Sequence, residues 1–198
     1  MQIGKIVSSN SHTEYICQIY GPGDAEALPA PEAYGFGAWV RVGGAAGGAE
    51  GSDLVGVVYD TTLRNPEFGN LGPRLSPQED LAVFTPDYLA EKVTLVAIAV
   101  LGRVAADGRA EQGVPVCAAQ SDTPVRTMAD AEIAAFHRGP AGLRLAYLPR
   151  LATMNHPLAP YLMAAIVERL ALLFPAEASR LAVLRGNLAW RARVEPVR

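Results

Sequence analysis

Apolar and polar positions alternate through much of the first hundred residues. Residues 3–7 form a short apolar-rich run. Residues 13–20 place Tyr15, Cys17 and Ile19 on one side and Glu14, Ile16 and Gln18 on the other. A period of two is the signature of a strand whose faces meet different surroundings. Residues 36–42 and 53–62 predict two further strands, the second carrying Val55, Val57 and Tyr59 at the same period. Residues 92–101 are almost unbroken apolar and β-favouring, the pattern of a strand buried on both sides. Between these runs, Gly21-Pro22-Gly23 and Pro29-Ala30-Pro31 mark a long loop, and the glycines at 43–48 predict a hairpin connection.

Helical signals come later. Ser76-Pro77-Gln78-Glu79 reads as a capping box with proline at the first helical position, and Thr85-Pro86-Asp87 as a second start. A turn at Asp107-Gly108 leads to residues 114–117, a short edge-like segment because Pro115 has no N–H to donate. Thr127-Met128-Ala129-Asp130 predicts a helix to about His137, ended by Gly139-Pro140. A second helix spans 157–174, capped by Asn155 and apolar almost all round. A third begins at Pro175 with a Leu181, Leu184, Leu188 stripe beside arginines. The order strands-then-helices predicts an α+β chain: a small closed or nearly closed β-barrel over 1–120, then a helical region over 121–198. Closure removes the edges that long apolar strands otherwise expose.

Composition sharpens this in two ways. Half of the 198 residues are hydrophobic and 19% are charged, which excludes an intrinsically disordered chain. The net charge of −3 hides a split. Residues 1–137 hold eight basic and seventeen acidic side chains, a net of −9. Residues 138–198 hold nine arginines and three glutamates, a net of +6. Arg180, Arg185, Arg191 and Arg193 are therefore the candidate contacts for an acidic partner or nucleic acid. The opening residues lack a charged-then-apolar leader, and Cys17 and Cys117 are too few for a disulfide framework; both features predict a cytoplasmic protein.

The chain carries few catalytic patterns. No phosphate-cradling Gly-x-x-x-x-Gly-Lys-Ser/Thr loop, Gly-x-Ser-x-Gly elbow or His-Glu-x-x-His pair occurs. His12-Thr13-Glu14 with Pro115-Val116-Cys117 is close to a zinc-deaminase set, but position 120 is Gln120 where the second cysteine belongs. Strand alternation sets His12 and Cys17 on opposite faces, against a nucleophile–base pair. His137 and His156 fall at helix boundaries, and His137 in a last turn predicts a favourable helix-dipole contact. Asp60, Arg64 and Glu67 read as a surface ion-pair group. The expectation is no catalytic, cofactor or metal site, with a small enzyme of unrecognised pocket as one alternative.

The motif order Ile3-Gly4-Lys5-Ile6-Val7, Ser11-His12-Thr13-Glu14-Tyr15, Phe36-Gly37-Ala38-Trp39-Val40 and Val55-Gly56-Val57-Val58-Tyr59, followed by the run at 93–102, resembles the HAS-barrel. That barrel stands at the front of HerA-type DNA-translocating ATPases and of ATP synthase subunits. The whole chain looks more like the free-standing bacterial and cyanobacterial type, which lacks the ATPase domain. The resemblance implies a non-catalytic module for assembly or partner docking, with an ATPase or nuclease of a DNA-processing complex as the implied kind of partner. A nucleic-acid-binding accessory role through the arginine-rich end is the other alternative. The apolar helix at 157–174 predicts self-association, a dimer by preference, through Leu158, Leu162, Ile166, Leu170 and Leu173. No cofactor and no membrane contact is expected.

Overall fold

A computed structural model describes residues 1–43, 52–65, 92–140 and 142–194. The glycine loop after Gly43, both predicted helical starts at 76–87, and Glu67 lie outside the described residues. Seven strands build the main sheet: β1 (Gln2–Ser11), β2 (Glu14–Ile19), β3 (Trp39–Val42), β4 (Asp53–Arg64), β5 (Val93–Val104), β6 (Ala110–Gln112) and β7 (Pro124–Thr127). The order β2-β1-β7-β3-β4-β5-β6, with β2 also paired to β5, closes six of them into an antiparallel barrel. β5 spends its first half on β2 and its second half on β6, so one strand serves both the barrel and a short extension.

The barrel therefore ends at Thr127 rather than at residue 120. β7 lies between β1 and β3, with Gly4 opposite Val125 and Arg41 opposite Arg126. Its four residues are too few, and too polar, to stand out as an apolar run. The segment at 114–117 is not a strand; β6 precedes it, and Val114 and Val116 are exposed. Pro115 is held instead by its carbonyl, which accepts from His12 Nε2 at 2.7 Å.

Period two explains why β4 and β5 are so apolar. Leu54 and Val58 on β4, with Val96, Ile98 and Val100 on β5, face the barrel interior beside Ile3, Ile6, Cys17, Ile19, Val40 and Val125. Their neighbours Val55, Val57, Tyr59, Ala99 and Leu101 face outward into a second core. Each strand is thus buried on both faces, each core claiming alternate residues. Two close approaches require glycine. A Cβ on Gly4 runs into the Gln18 carbonyl oxygen and Cys17 Sγ, and one on Gly56 into Ile98 Cγ2.

The second core lies under four helices of the described residues: α1 (Asp130–His137), α2 (Leu148–Ala152), α3 (Ala159–Leu173) and α4 (Ala178–Val194). A two-stranded ladder, β8 (Arg138–Gly139) with β9 (Gly142–Leu143), follows α1. Thr127 belongs to β7, so the cap of α1 falls two residues beyond it. Ala129 is the cap residue, and Glu132 satisfies its N–H at 3.0 Å. Asn155 does not cap α3 either: His156 Nδ1 accepts the Leu158 N–H at 3.3 Å.

α3 presents Leu162, Met163, Ile166, Val167 and Leu170 to the barrel wall. Leu181 of α4 is buried with them, and Leu184 and Leu188 pack alongside. At about 1.5–3 kcal/mol per fully buried aliphatic side chain, this layer contributes on the scale of the barrel interior itself. One glutamine ties the two parts together. Gln112 on β6 donates from Nε2 to the Phe136 and Arg144 carbonyls at 3.1 and 3.0 Å, and its Oε1 accepts from Ala146 N–H at 2.8 Å. No single helix among the described residues is long and apolar enough to cross a membrane.

Candidate functional site

Among the described residues, three polar clusters lie between barrel and helices, and most of their polar groups pair with one another. The first joins α1 to the barrel. Arg126 grips Glu132 through two bonds of 2.6 and 3.0 Å, while Arg41 spans Glu132 at 3.1 Å and Asp53 at 2.9 Å. These bonds hold the Glu132 carboxyl at about 2, with the Arg126 contact the largest cause. Such a charge-assisted fork fixes the angle of α1 on the sheet.

The second cluster is a buried aromatic box of Trp39, Phe136, His137 and Tyr147. His137 is fully buried. A carbonyl only accepts, so His137 Nδ1 donates to the Ile133 carbonyl at 2.7 Å, and its Nε2 accepts the Tyr147 O–H at 2.7 Å. Burial pushes the imidazole down to about 4 and keeps it neutral. His137 is thus a satisfied core residue rather than an exposed partner of the helix dipole. The Trp39 indole N–H is buried with no acceptor among the described residues.

The third cluster lies where β2, β4 and β5 meet the segment between α2 and α3. Tyr59 donates to Glu14 at 3.3 Å, and burial, followed by the Glu14 charge, raises its phenol to about 12. His156 stacks edge-on against Tyr59 and faces Asp60 at 3.5 Å. Because Nδ1 accepts from Leu158, the proton sits on Nε2 and points the donor at Asp60. Arg150 donates to Thr13 Oγ1 at 3.1 Å and to the Val100 carbonyl. The set pins α2 and the following loop to the barrel wall.

The cysteine–histidine readings fare differently. Cys17 is buried in the barrel interior, where desolvation lifts its thiol to about 12. His12 does come beside Pro115, but its Nε2 is spent on a backbone carbonyl, and Cys117 is exposed. No group of three or more potential metal ligands clusters among the described residues.

A groove opens on the outer side of the helical layer. About 450 Å³ of space lies between the Pro31–Ala33 turn with the residues after it and the outer side of α3. Trp39, Met128 and Ile133 line it from the core side, and Phe36, Ala165 and Leu172 supply its apolar walls. Phe36 is 46% exposed and Leu172 is 71% exposed. Glu32, Glu168 and Arg169 stand at the rim. Arg169 is bonded to Asp130, and Glu168 faces Arg185 at 3.4 Å. A second cleft of about 560 Å³, bordered by Asn10, Gln18, Thr62, Arg64 and Leu95, opens beside the described ends of β4 and β5.

The helix residues expected to mediate association divide by face. Leu162, Ile166 and Leu170 are buried in the chain's own second core, Leu173 packs against it, and Leu158 is half-buried. That stripe is closed to a second copy because the barrel wall, with two apolar faces, already covers it. The exposed side of α3 is the one carrying Tyr161 and Leu172, with Ala165 half-buried against Gly37. Of the four arginines, Arg180 pairs with Glu177 at 2.8 Å and Arg185 with Glu168. Arg191 and Arg193 fall on the last turns of α4, and their side chains lie outside the described residues. Sequence reasoning missed the groove because Phe36 reads as the start of a strand. In the fold it precedes β3, within a turn that Gly37 permits with φ of +82°.

The fold and its surface define an α+β protein: a closed six-stranded barrel with a helical layer on one outer wall. Its family follows from the sequence itself. Residues 1–197 match the model of the Domain of unknown function (DUF8166), and the chain belongs to that family. No curated protein matches it in sequence.

Proposed function

We propose that the chain is a non-catalytic assembly module, bringing protein chains together through the groove between Phe36 and α3. The observation that carries this reading is the groove itself: large apolar side chains stand exposed around a cleft reaching toward the core. Soluble proteins rarely keep such a cleft uncovered without a use for it. The polar clusters add support, since their charges and hydrogen bonds hold barrel and helices together instead of converging on open space. The resemblance to HAS-barrels points the same way, toward assembly and docking in the cytoplasm beside an ATPase or nuclease. Nucleic-acid binding is less favoured because Arg180 and Arg185 already face glutamates.

The test is recovery of the tagged chain, expressed at native level in its own cells, with Phe36→Ser, Leu172→Ser or the control Val183→Ser. Val183 is exposed on α4 and does not line the groove. A stoichiometric companion, whether another protein or an untagged second copy, is expected to fall at least about fivefold with the groove variants alone. An identical set of companions from all three variants, or none from the wild type, overturns the reading.

A further inference from the structure

The helices cover only part of the outer wall of β5. Ala99 and Leu101 are buried beneath them, and Ala97 packs at the border of that core. The next residues on the same side, Leu95 and Val93, line the second cleft instead, and both are half-buried. With Ala97 they form an apolar strip along one strand, about 13 Å long at the rise of a β-strand. Ile16 of β2, opposite Ala97, widens the strip at that end. Its flanks are neutral: Gln18 and Thr62 stand on either side of Leu95 in the ladder.

Charge sets this cleft apart from its surroundings. Residues 1–137 hold seventeen acidic and eight basic side chains, yet among the described residues no carboxylate lines the cleft and one cation does, Arg64. The arginines at 41, 103 and 126 each face a carboxylate. Arg64 faces none among the described residues. The register puts Arg64 opposite Val93, so the cation stands at one end of the strip, with Thr62 two residues away on the same face.

We propose that this cleft binds a linear amphipathic anion, an acyl chain ending in a carboxylate. The chain lies along Ala97, Leu95 and Val93, and the carboxylate meets the Arg64 guanidinium, whose parallel N–H donors match two oxygens. A chain of roughly ten carbons is as long as the strip. A peptide strand is a poorer fit: β2 and β4 pair with β5 on both edges over residues 95–99, so the strip offers no free backbone edge. The volume of about 560 Å³ lies within the range of small-molecule sites.

Titration calorimetry of the purified chain with decanoate, below its micelle concentration, tests the proposal. Saturable binding is expected with a Kd below about 1 mM. Butyrate keeps the head without the tail, and decyltrimethylammonium keeps the tail with the opposite charge. Each is expected to bind at least about tenfold more weakly. Arg64→Gln is expected to weaken decanoate by at least about tenfold. Arg109→Gln, at an exposed arginine that does not line the cleft, should leave it unchanged. Arg64 is exposed, so an unaltered thermal melt is expected of its variant. Amide shifts on adding decanoate should map to residues 16–18 and 93–97. No saturable binding, equal binding by Arg64→Gln, equal binding of the cationic amphiphile, or shifts at the groove between Phe36 and α3 instead would each overturn the proposal. The cleft shares no residue with that groove, so its failure leaves the assembly reading untouched.

Discussion

The barrel interior and the layer outside it share strands β4 and β5, yet they are filled by different means. Inside are aliphatic residues with Tyr15 and Cys17, and no charged side chain belongs to that cluster among the described residues. Outside stand Trp39, Tyr59, Phe136 and Tyr147, two methionines and the buried His137. Backbone hydrogen bonds close the barrel and fix its width, so medium-sized β-branched and aliphatic side chains suffice to fill it. The outer layer must fit straight helices onto a curved wall. Large rings, and polar groups that reach across to helix carbonyls, fill the irregular spaces. The difference teaches that closure specifies the first core, whereas side-chain shape and hydrogen bonds specify the second.

Truncation breaks this comparison most directly. Ile98→Ala inside the barrel and Leu162→Ala beneath α3 are each expected to cost about 3–4 kcal/mol. Because β4 and β5 serve both cores, either variant should keep a single unfolding transition. Far-ultraviolet circular dichroism and aromatic near-ultraviolet signals should coincide in a urea titration. An earlier loss of the aromatic signal in Leu162→Ala shows the outer layer to be a separate unit.

The next test uses pH, because the two cores bury different titrating groups. Cys17, at about 12, stays a neutral thiol through neutrality. His137 titrates at about 4 when folded, against an ordinary value near 6.5 when unfolded. The unfolded chain therefore takes up that proton first. The contribution is fully present above about pH 6.5, falls as pH drops toward 4, and is flat below it. The loss expected is about 2–3 kcal/mol, read from urea midpoints at pH 7 and pH 4.5. His137→Gln should flatten that interval while lowering stability at pH 7; an unchanged slope removes His137 as its source.

The smallest effect lies at the seam between the two regions. Glu132, depressed to about 2, stabilises the fold at neutral pH and loses that contribution as pH falls from about 4.5 to 2. Partial exposure of the Arg126–Glu132 pair screens it, so Glu132→Gln is expected to cost about 1–2 kcal/mol at pH 7. Amide exchange in α1 should rise more than in β5 if the fork fixes only the helix; equal rises place it in the global barrier.

Legibility in the sequence follows the same division. The long strands were readable because two-sided burial writes itself as Val-Gly-Val-Val-Tyr and as an apolar run at 93–101. β7 was not, since of Pro-Val-Arg-Thr only Val125 is buried in the interior and the other three are half-exposed. The α3 pattern announced a helix needing cover on most sides but did not say which face the barrel takes. That depends on the wall's curvature, a tertiary fact. His137 does end α1, but its core role was hidden because Tyr147, the partner that donates to it there, lies beyond the β8–β9 ladder. Phe36 and the Ala165–Leu172 face of α3 come from distant stretches, and no local period joins the two.

β7 also sets a timetable. β1 makes its hairpin with β2 at once, but its other edge pairs with residues 124–126, and Met1 accepts from the Thr127 N–H. At roughly 5–20 residues per second of synthesis, that edge waits on the order of ten seconds with its backbone groups unpaired. β3 waits for the same stave. The cylinder consequently cannot be completed in the order in which it is translated, and closure carries the loop entropy of more than a hundred intervening residues. Refolding of the full chain should therefore be slow for its size, and a nascent chain stalled before residue 124 should present an open seam to whatever chaperone or neighbouring strand it meets first.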